Sequence, residues 1–414
     1  MLTPRRRDLI RAMGGAPLAF AIAPAWGQAT HLIKGRLVVV FLRGAYDGLS
    51  MLIPHGDAHY AKLRSTIAIG PPDGTLQTAL PLDELFGLHP SCEALLPLWH
   101  TGVLSALTCV GSPDSSRSHF DAQYHWETGK PGSSAPSAGW LNALSGLMGD
   151  GLPNALGVGE TSPRILTGPR RVQLVASGQA ALNPGALANP AVREAILRMY
   201  GSDEGLSRTI VDGANSRMET SRMLRSTSSA MTSQEQMAAN NGAGAAQGLA
   251  LDARNLGQLM DQNRQLRLGF LSAGGWDTHI NQGGATGQLA NNLANLSRAL
   301  VQLRPFFSEP HDLVVVVSEF GRTCAENGTR GTDHGRGNIL WLMGNAVRGG
   351  QWHGQWSGLA PEALVDRRDL PVHHDFRALF AQLLVRVLGV TRPQADVLFP
   401  GYVWDASLDG ILKV

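Results

Sequence analysis

Short runs of branched apolar residues alternate along the chain with longer segments of mixed polarity. Each run has the length and composition of a strand that is buried on both faces, and Gly or Ser follows it. Strands are predicted at residues 37–42, 104–110, 266–271, 313–317 and 339–343, and helices at residues 118–128, 190–200, 248–263, 287–303 and 375–388. This alternation predicts an α/β fold, with a doubly wound, largely parallel sheet and helices on both faces.

One long segment breaks the alternation. Residues 216–248 are rich in Ser, Thr, Met, Asn, Gln, Ala and Gly and contain no apolar run of strand length. We interpret this segment as a helical cap or a flexible insertion, because strands of one sheet are predicted on both sides of it. Residues 30–414 are therefore expected to form a single α/β domain.

The first 29 residues have the pattern of an export signal. A basic start precedes an apolar, small-residue stretch at residues 13–26, which is too short to span a bilayer as a helix. Residues 6–11 read RRDLIR and match the twin-arginine pattern, and GQA offers small residues for cleavage before Thr30. The alternative is an ordinary secretory leader with a chance run of arginines. We expect a signal for the Tat translocase, which carries folded proteins to the periplasm or beyond.

The composition argues against two classes of function. The 35 Lys and Arg residues are balanced by 33 Asp and Glu residues, so the chain has no basic field that would hold nucleic acid. After the leader, no segment reaches the roughly 18 uninterrupted apolar residues of a membrane helix, and we expect no span in the mature chain.

Cys92, Cys109 and Cys324 lack the C-x-x-C spacing of metal or redox sites. A Cys92–Cys109 disulfide and three buried thiols both remain open.

Acidic residues and histidines follow the predicted strands. Ligands of open α/β sheets bind beyond the carboxyl ends of the strands, so these positions are the candidate site. Asp277 and His279 are two residues apart and could face one cation from an extended segment, whereas Asp333 and His334 are adjacent and suit a loop. A single Asp–His pair is more often a helix cap or a buried hydrogen bond, but several at one sheet edge favour a metal site. The candidate ligands are Asp47, Asp277, His279, Glu319, Asp333, His334, His373 and His374.

Carboxylates mixed with imidazoles are the ligands of zinc, manganese or iron, while carboxylates alone would favour magnesium or calcium. We therefore expect a divalent metal as cofactor, zinc first, with manganese, magnesium and calcium as alternatives. Glycines flank the candidate ligands, where tight turns would bring the backbone close to an ion or an anion.

Unlike the candidate ligands, His89 in the segment FGLHP is predicted to be a packed histidine.

The segment SSRSHFD, residues 115–121, supplies a candidate nucleophile before a predicted helix. Ser118 could be an N-cap, with Asp121 three residues later partly imitating a capping box. Alternatively, the helix N-terminus and Arg117 attract a tetrahedral anion, and a nearby metal lowers the pKa of the Ser118 hydroxyl. The sequence leaves both interpretations open.

At these residues the chain resembles a bacterial family, domain-of-unknown-function family 1501, whose members typically carry a Tat leader. The resemblance rests on segments spread over nearly the whole chain after the leader: VVVFLRGAYDGLSMLIPHGD, SRSHFDAQYHWETG, GGWDTH, VVVVSEFGRTCAENGTRGTDHGRGN and DLPVHHDFR. That family is similar to the alkaline phosphatase and sulfatase superfamily. The resemblance implies a three-layer α/β/α sandwich with a metal centre at the strand ends.

The order of site residues in that superfamily implies roles for the residues here. Asp47, Asp333 and His334 would hold one metal. The second metal would be held by Asp277, His279 and a late histidine, either His373 or His374. Ser118 would bridge the two metals, Glu319 would be an extra carboxylate, and Arg322 would bind substrate oxygens bidentately.

The expected function is that of an exported metal-dependent hydrolase acting on a phosphate or sulfate ester, with a small anionic ester or a polymer as substrate and Ser118 or a water as nucleophile. The alternative is a non-catalytic periplasmic binding or accessory protein that keeps the fold and a structural metal. Gly-rich loops and the absence of a familiar nucleophile motif favour this alternative. A Tat-exported oxidoreductase is disfavoured, because no G-x-G-x-x-G, haem or iron–sulfur spacing occurs.

Overall fold

The computed structural model describes residues 33–132, 137–149, 153–160, 163–182, 189–199, 213, 218 and 243–413. The predicted signal at residues 1–29 lies outside these residues. So does most of the predicted insertion at residues 216–248, of which only residue 218 and residues 243–248 are described. One compact unit extends over His31–Val414.

A ten-stranded sheet runs through the described part of the chain. Its strands are β1 (Leu37–Leu42), β5 (Leu104–Gly111), β6 (Ala155–Val158), β7 (Gln173–Val175), β8 (Gly244–Ala245), β9 (Leu268–Gly274), β10 (Leu313–Val317), β11 (Asn338–Met343), β12 (Trp352–His353) and β13 (His374–Asp375). A small separate sheet contains β2 (Leu52–Ile53), β3 (Leu80–Pro81) and β4 (Gly87–Leu88). The order across the large sheet is β12-β5-β11-β10-β1-β9-β6-β7, with β13 beside β5 and β8 beside β9.

The helices alternate with these strands. They are α1 (Gly48–Met51), α2 (Tyr60–Leu63), α3 (Leu96–His100), α4 (His119–Thr128), α5 (Trp140–Leu147), α6 (Pro190–Met199), α7 (Leu249–Gln262), α8 (Gln288–Leu303), α9 (Phe376–Gln382) and α10 (Arg392–Leu398). A π-helical segment, Leu383–Leu388, continues α9, so the helix predicted at residues 375–388 changes its winding halfway. The other four predicted helices agree with the structure to within a residue at each end.

The sheet is buried on both faces, as the apolar runs predict. Alternate residues of β1 enter two cores, Val38, Val40 and Leu42 on one side and Leu37, Val39 and Phe41 on the other. The first core includes apolar residues of α7 and α8, and the second includes those of α5, α9 and α10. The fold is therefore α/β with a mixed, mostly parallel central sheet, compatible with a three-layer sandwich.

One strand of the large sheet runs against its neighbours. β11 pairs antiparallel with both β10 and β5, whereas the other pairings in this sheet are parallel. The amino end of β11 therefore lies at the edge where β1, β5, β9 and β10 have their carboxyl ends. Residues just before β11 thus join residues just after those strands, and this edge carries the candidate site.

Cys92, Cys109 and Cys324 are all buried free thiols, as expected if they serve as small apolar residues. Burial raises the pKa of the Cys92 and Cys109 thiols far above the usual range. In the described part of the chain, no helix is both long enough and apolar enough to cross a membrane.

His89 is a packed histidine, and the prediction for it is confirmed. Its side chain is fully buried. Nδ1 accepts a hydrogen bond from the Ser91 backbone N–H at 3.0 Å, and Nε2 donates to the Gly284 carbonyl at 3.1 Å. Burial lowers the pKa of His89 from 6.5 to about 4. Both nitrogens are satisfied only in the neutral imidazole, so the native state disfavours protonation.

His89 should make the protein sensitive to acid. The unfolded chain protonates His89 near pH 6.5, whereas the folded chain protonates it only near pH 4. Neutral His89 therefore makes its full contribution to the free energy of unfolding above pH 6.5, and this contribution is lost as the pH falls towards 4. Urea unfolding at pH 7.5 and pH 5 should show the wild type losing about 2 kcal/mol more than His89→Gln. Replacing the exposed His100 by Gln should leave the wild-type loss unchanged. Equal losses in the wild type and His89→Gln would contradict this assignment.

Candidate metal centre

Three histidines and one aspartate converge at the site edge of the sheet. Donor atoms of His119, Asp277 and His334 lie within 4.8 Å of one another. His279 joins them, since its Nε2 is 2.9 Å from Asp277 Oδ1 and 3.0 Å from His334 Nε2. His334 Nε2 is 3.2 Å from Asp277 Oδ1, and His119 Nε2 is 3.5 Å from Asp277 Oδ2.

The four members of the cluster come from three segments that meet at the same edge. Asp277 and His279 follow β9, and His119 is the first residue of α4, which follows β5. His334 precedes β11 and forms an isolated antiparallel bridge with Arg322. The loop containing His334 packs tightly on His279, because a Cβ atom on Gly331 would lie 2.3 Å from the His279 carbonyl carbon. Only glycine permits that approach.

The three imidazoles are held by their outer nitrogens. His119 Nδ1 donates to Glu319 Oε1 at 2.8 Å, and His279 Nδ1 donates to Asp333 Oδ1 at 3.0 Å. His334 Nδ1 donates to the backbone carbonyl of Arg117 at 3.0 Å. Such bonds are typical of metal-binding histidines, because they fix the ring and leave the other nitrogen to bind the metal. All three Nε2 atoms are thereby directed at Asp277.

The donor set fits a divalent metal. With Nδ1 donating, neutral His279 and His334 present Nε2 lone pairs to each other at 3.0 Å, which is repulsive unless a cation lies between them. His119 Nε2 is buried and has no hydrogen-bond partner. A tetrahedral zinc ion with bonds of about 2.0–2.1 Å would hold its ligand atoms roughly 3.3 Å apart, close to the spacings found here.

The carboxylates are held in their ionised form. Burial alone would raise the pKa of Asp277, but its contacts with His119 and His334 and the charge of Arg322 bring it well below the usual range. Glu319 behaves similarly, with burial opposed mainly by His119 and Gln123, and its pKa is lowered. Burial lowers the pKa of His119, but Asp277 and Glu319 outweigh it and raise the value to about 9. A metal ion would therefore displace a proton from His119.

Arg322 positions Asp277. Its side chain is completely buried, and Nη2 donates to Asp277 Oδ1 at 2.5 Å. Other bonds go to backbone carbonyls, from Nε to Ala45, from Nη1 to Thr332 and from Nη2 to Gly44 and Trp276. Nη1 also lies 3.5 Å from His279 Nε2. The guanidinium thus has its donors engaged by protein atoms, an arrangement different from the substrate clamp that the superfamily resemblance implies.

Asp47 is not brought into the cluster. Its buried carboxylate forms an ion pair with Arg64, at 2.6 Å from Nη1 to Oδ2 and 3.0 Å from Nη2 to Oδ1. Ser50 Oγ and Gln282 Nε2 also donate to Oδ2, each at 2.7 Å. Burial raises the pKa of Asp47, but Arg64 more than compensates and the net shift is downward. Asp47 has the environment of a structural ion pair rather than of a metal ligand.

The two late histidines, His373 and His374, form hydrogen bonds outside the cluster. His374 Nδ1 donates to Asp405 Oδ2 at 2.7 Å, and its Nε2 accepts from the Gln355 backbone N–H at 3.0 Å. His373 Nε2 is 2.7 Å from Ser357 Oγ. Neither residue contributes to the cluster around Asp277.

The Ser118 region has the geometry of a helix start. Ser118 is the N-cap of α4, and its side chain accepts from the Asp121 backbone N–H. The Arg117 guanidinium forms an ion pair with Asp369 at 2.5 Å, while its carbonyl holds His334. The capping interpretation of Ser118 therefore describes the structure.

His119 is the site residue that sequence reasoning missed. It lies next to Ser118, and the search for a nucleophile drew attention to the serine. The available signal was its position, since a histidine at the first turn of a helix that follows a buried strand faces the same edge as residues after the other strands. Glu319 and Asp333 do lie at the centre, in contact with His119 and His279.

The fold and this cluster define an α/β protein with a candidate metal centre at the edge where most of its parallel strands end. The family model described as "Protein of unknown function (DUF1501)" matches residues 34–399, and the chain belongs to this family. No curated protein matches the chain.

The position of Asp47 gives a direct test of the site boundary. Removing one partner of a buried ion pair leaves an uncompensated charge, so Asp47→Ala should lower the free energy of unfolding by about 3–5 kcal/mol. The control is Asp409→Ala, which breaks the exposed ion pair with Arg386 and should cost less than about 1 kcal/mol. Bound metal per folded molecule, measured by elemental analysis, should be unchanged in both variants. A folded Asp47→Asn protein that has lost its metal would place Asp47 in the centre instead.

Proposed function

We propose that the protein is an exported metal-dependent hydrolase that acts on a phosphate or sulfate ester. The observation that carries the proposal is the convergence of three Nε2 atoms on Asp277, each ring being oriented through its Nδ1. A zinc-type divalent cation is the group that this donor set fits, with manganese, magnesium and calcium as alternatives.

Solvent access favours a reactive centre over a sealed one. The side chains of His279, Asp277 and His334 are 36%, 28% and 24% exposed, whereas His119 is 13% exposed. The cluster therefore opens on the side of His279 and is closed by α4 on the other. An ester could reach the centre from the open side. Structural metal sites usually leave no such access.

The protein's own residues hold the geometry for this chemistry. When bound, a divalent cation would supply Lewis acidity, which stabilises negative charge on ester oxygens. Arg322 fixes Asp277, while Glu319 and Asp333 fix the rings of His119 and His279. Because Ser118 caps α4, we assign the nucleophile to a water molecule, which would cleave the ester to an alcohol and a free phosphate or sulfate.

The finer parts of the proposal rest on sequence. The RRDLIR segment supports recognition by the Tat translocase and a location in the periplasm or outside the cell. The order of Asp277, His279, Asp333 and His334 supports a relation to the alkaline phosphatase and sulfatase superfamily. The mostly parallel sheet is compatible with that relation.

A second function is favoured by the number of donors. Three imidazoles and one carboxylate already complete a tetrahedral zinc site, as in metals that only stabilise a fold. On this interpretation the protein is a non-catalytic binding or accessory protein. Stoichiometric metal without turnover on a broad panel of aryl phosphates and sulfates would favour it over the hydrolase.

Two variants at adjacent positions, His119→Ala and Ser118→Ala, test the hydrolase proposal. His119→Ala removes one donor and should abolish both bound metal and ester hydrolysis. Ser118→Ala removes only an N-cap, which should cost about 1 kcal/mol of stability and leave metal content and turnover intact. Elemental analysis of the exported protein and initial rates on aryl phosphates and sulfates measure both effects. Full metal and full turnover in His119→Ala would rule out the assignment.

Residues that only orient the ligands should give a smaller effect. Asp333→Asn weakens the hold on His279 without removing a donor, and metal affinity should fall about 10–100-fold. The exposed Asp261, which pairs with Arg264, provides the control variant Asp261→Asn with unchanged affinity. Competition with a chelator of known affinity measures the ratio. Complete metal loss in Asp333→Asn would instead indicate that Asp333 binds the metal directly.

A further inference from the structure

A pocket adjoins the candidate metal centre. Glu319 and Phe320 line it, and these residues also contact the cluster, since Phe320 stacks on His119 with ring centroids 5.0 Å apart. Arg336, His125 and Ser116 line it as well. The pocket and the metal centre thus share one wall.

Arg336 brings an uncompensated positive charge to this pocket. Its Nε is buried and has no hydrogen-bond partner. Among the residues that the structure describes, none forms a hydrogen bond or an ion pair with its side chain, whereas the buried Arg43, Arg64 and Arg322 are all paired with carboxylates. A half-buried guanidinium without a partner is costly, and an anion in the pocket would remove that cost.

His125 provides a second unsatisfied group. It is 7% exposed, and its Nδ1 is buried without a hydrogen-bond partner. The nearest acid is Asp114, whose Oδ1 lies 3.6 Å away and accepts from the Ser116 backbone N–H at 2.8 Å. The pocket therefore contains a buried imidazole nitrogen that no protein group satisfies.

The acids that line the pocket are already engaged. Glu319 Oε1 accepts hydrogen bonds from the Gly44 N–H at 2.8 Å, from Gln123 at 2.9 Å and from His119 at 2.8 Å, and Oε2 accepts from Ser318. Asp114 is engaged by Ser116 and faces His125. The Ser116 hydroxyl is engaged as well, since it accepts from the Ser118 N–H at 3.2 Å and lies 3.5 Å from Asp121 Oδ2. What remains open to a ligand is the Arg336 guanidinium and the His125 Nδ1.

We propose that this pocket binds a tetrahedral oxyanion, a phosphate or sulfate group, through Arg336 and His125. Guanidinium and imidazole N–H donors suit the oxygens of such a group. Because the pocket adjoins the metal centre, the bound group is a second anionic group of the substrate. This last step rests on the proposed hydrolase function, while the binding of an oxyanion does not.

Calorimetric titration of the full-length protein, as purified, with inorganic phosphate and with sulfate tests the binding. Arg336→Gln should weaken binding at least tenfold, since a charge-assisted hydrogen-bond partner is lost, and Arg336→Lys should recover part of it. His125→Gln should give a smaller loss. The control is Arg348→Gln, an exposed arginine that follows β11 at the opposite edge of the sheet, and it should bind as the wild type does.

Removal of the metal by dialysis against a chelator separates the two anion sites. Binding that depends on Arg336 should persist in the dialysed protein. Wild-type affinity in Arg336→Gln, no binding of either anion, or binding that vanishes with the metal would each overturn the proposal.

The substrate assignment is tested by the ratio of kcat/KM values for two classes of ester. In Arg336→Gln, kcat/KM for aryl phosphates that carry a second phosphate or sulfate group should fall at least tenfold relative to esters without one. An unchanged ratio in an active enzyme overturns the substrate assignment and leaves the hydrolase intact. Phosphate binding through Arg336 in a protein without turnover would support the pocket and overturn the hydrolase.

Discussion

The buried guanidinium of Arg322 ties the site together. It donates hydrogen bonds to backbone carbonyls of the loop after β1, the loop after β9 and the loop before β11, and it holds the Asp277 carboxylate on which three histidines converge. Backbone carbonyls beyond strand ends have no partner in the sheet, and burying them without donors would be costly. One cation satisfies several of them at once. The candidate metal centre therefore depends on an arginine that is itself shielded from any ligand.

Only 16% of the residues are charged, and several of them form buried ion pairs. Arg36 pairs with Asp312, Arg43 with Glu127 and Glu160, and Arg64 with Asp47, all with side chains at most 5% exposed. Burying such pairs costs desolvation energy, which good geometry and additional hydrogen bonds offset. In the described part of the chain, these buried ion pairs lie close to the ends of the strands. Apolar packing stabilises the faces of the sheet, and buried ion pairs hold the segments at the ends of its strands.

Much of the fold could be predicted from the sequence because its central strands contain apolar runs, such as LVVVFL in β1 and LVVVV in β10. The run LVVVV became β10 without change, but the strand predicted at residues 266–271 lies at Leu268–Gly274. Its end was missed because Ser272 interrupts the apolar pattern, although that hydroxyl is buried and donates to Glu160. The short strands β6 and β7 and the helices α5 and α10 were also missed. Short elements that rely on tertiary contacts have too little periodicity to be recognised.

The site was harder to predict than the sheet. Position after a strand drew attention to Asp277, His279 and His334, which the structure brings together. It also drew attention to Asp47, whose partner Arg64 lies in another element and could not be inferred from spacing. Whether an acid faces a neighbouring cation or an open centre is decided by packing between distant segments. No local pattern encodes that choice.

The reversed direction of β11 has a consequence for how this fold can vary. Two adjacent parallel strands need a crossover that passes along the whole sheet, whereas β10 and β11 are joined by a connection that stays at one edge. That connection, residues 318–337, carries Glu319, Arg322, Asp333, His334 and Arg336. A substitution at one of its exposed positions would not require a crossover helix to move. Changes within this one loop can therefore alter the candidate centre and the neighbouring pocket while the scaffold remains the same.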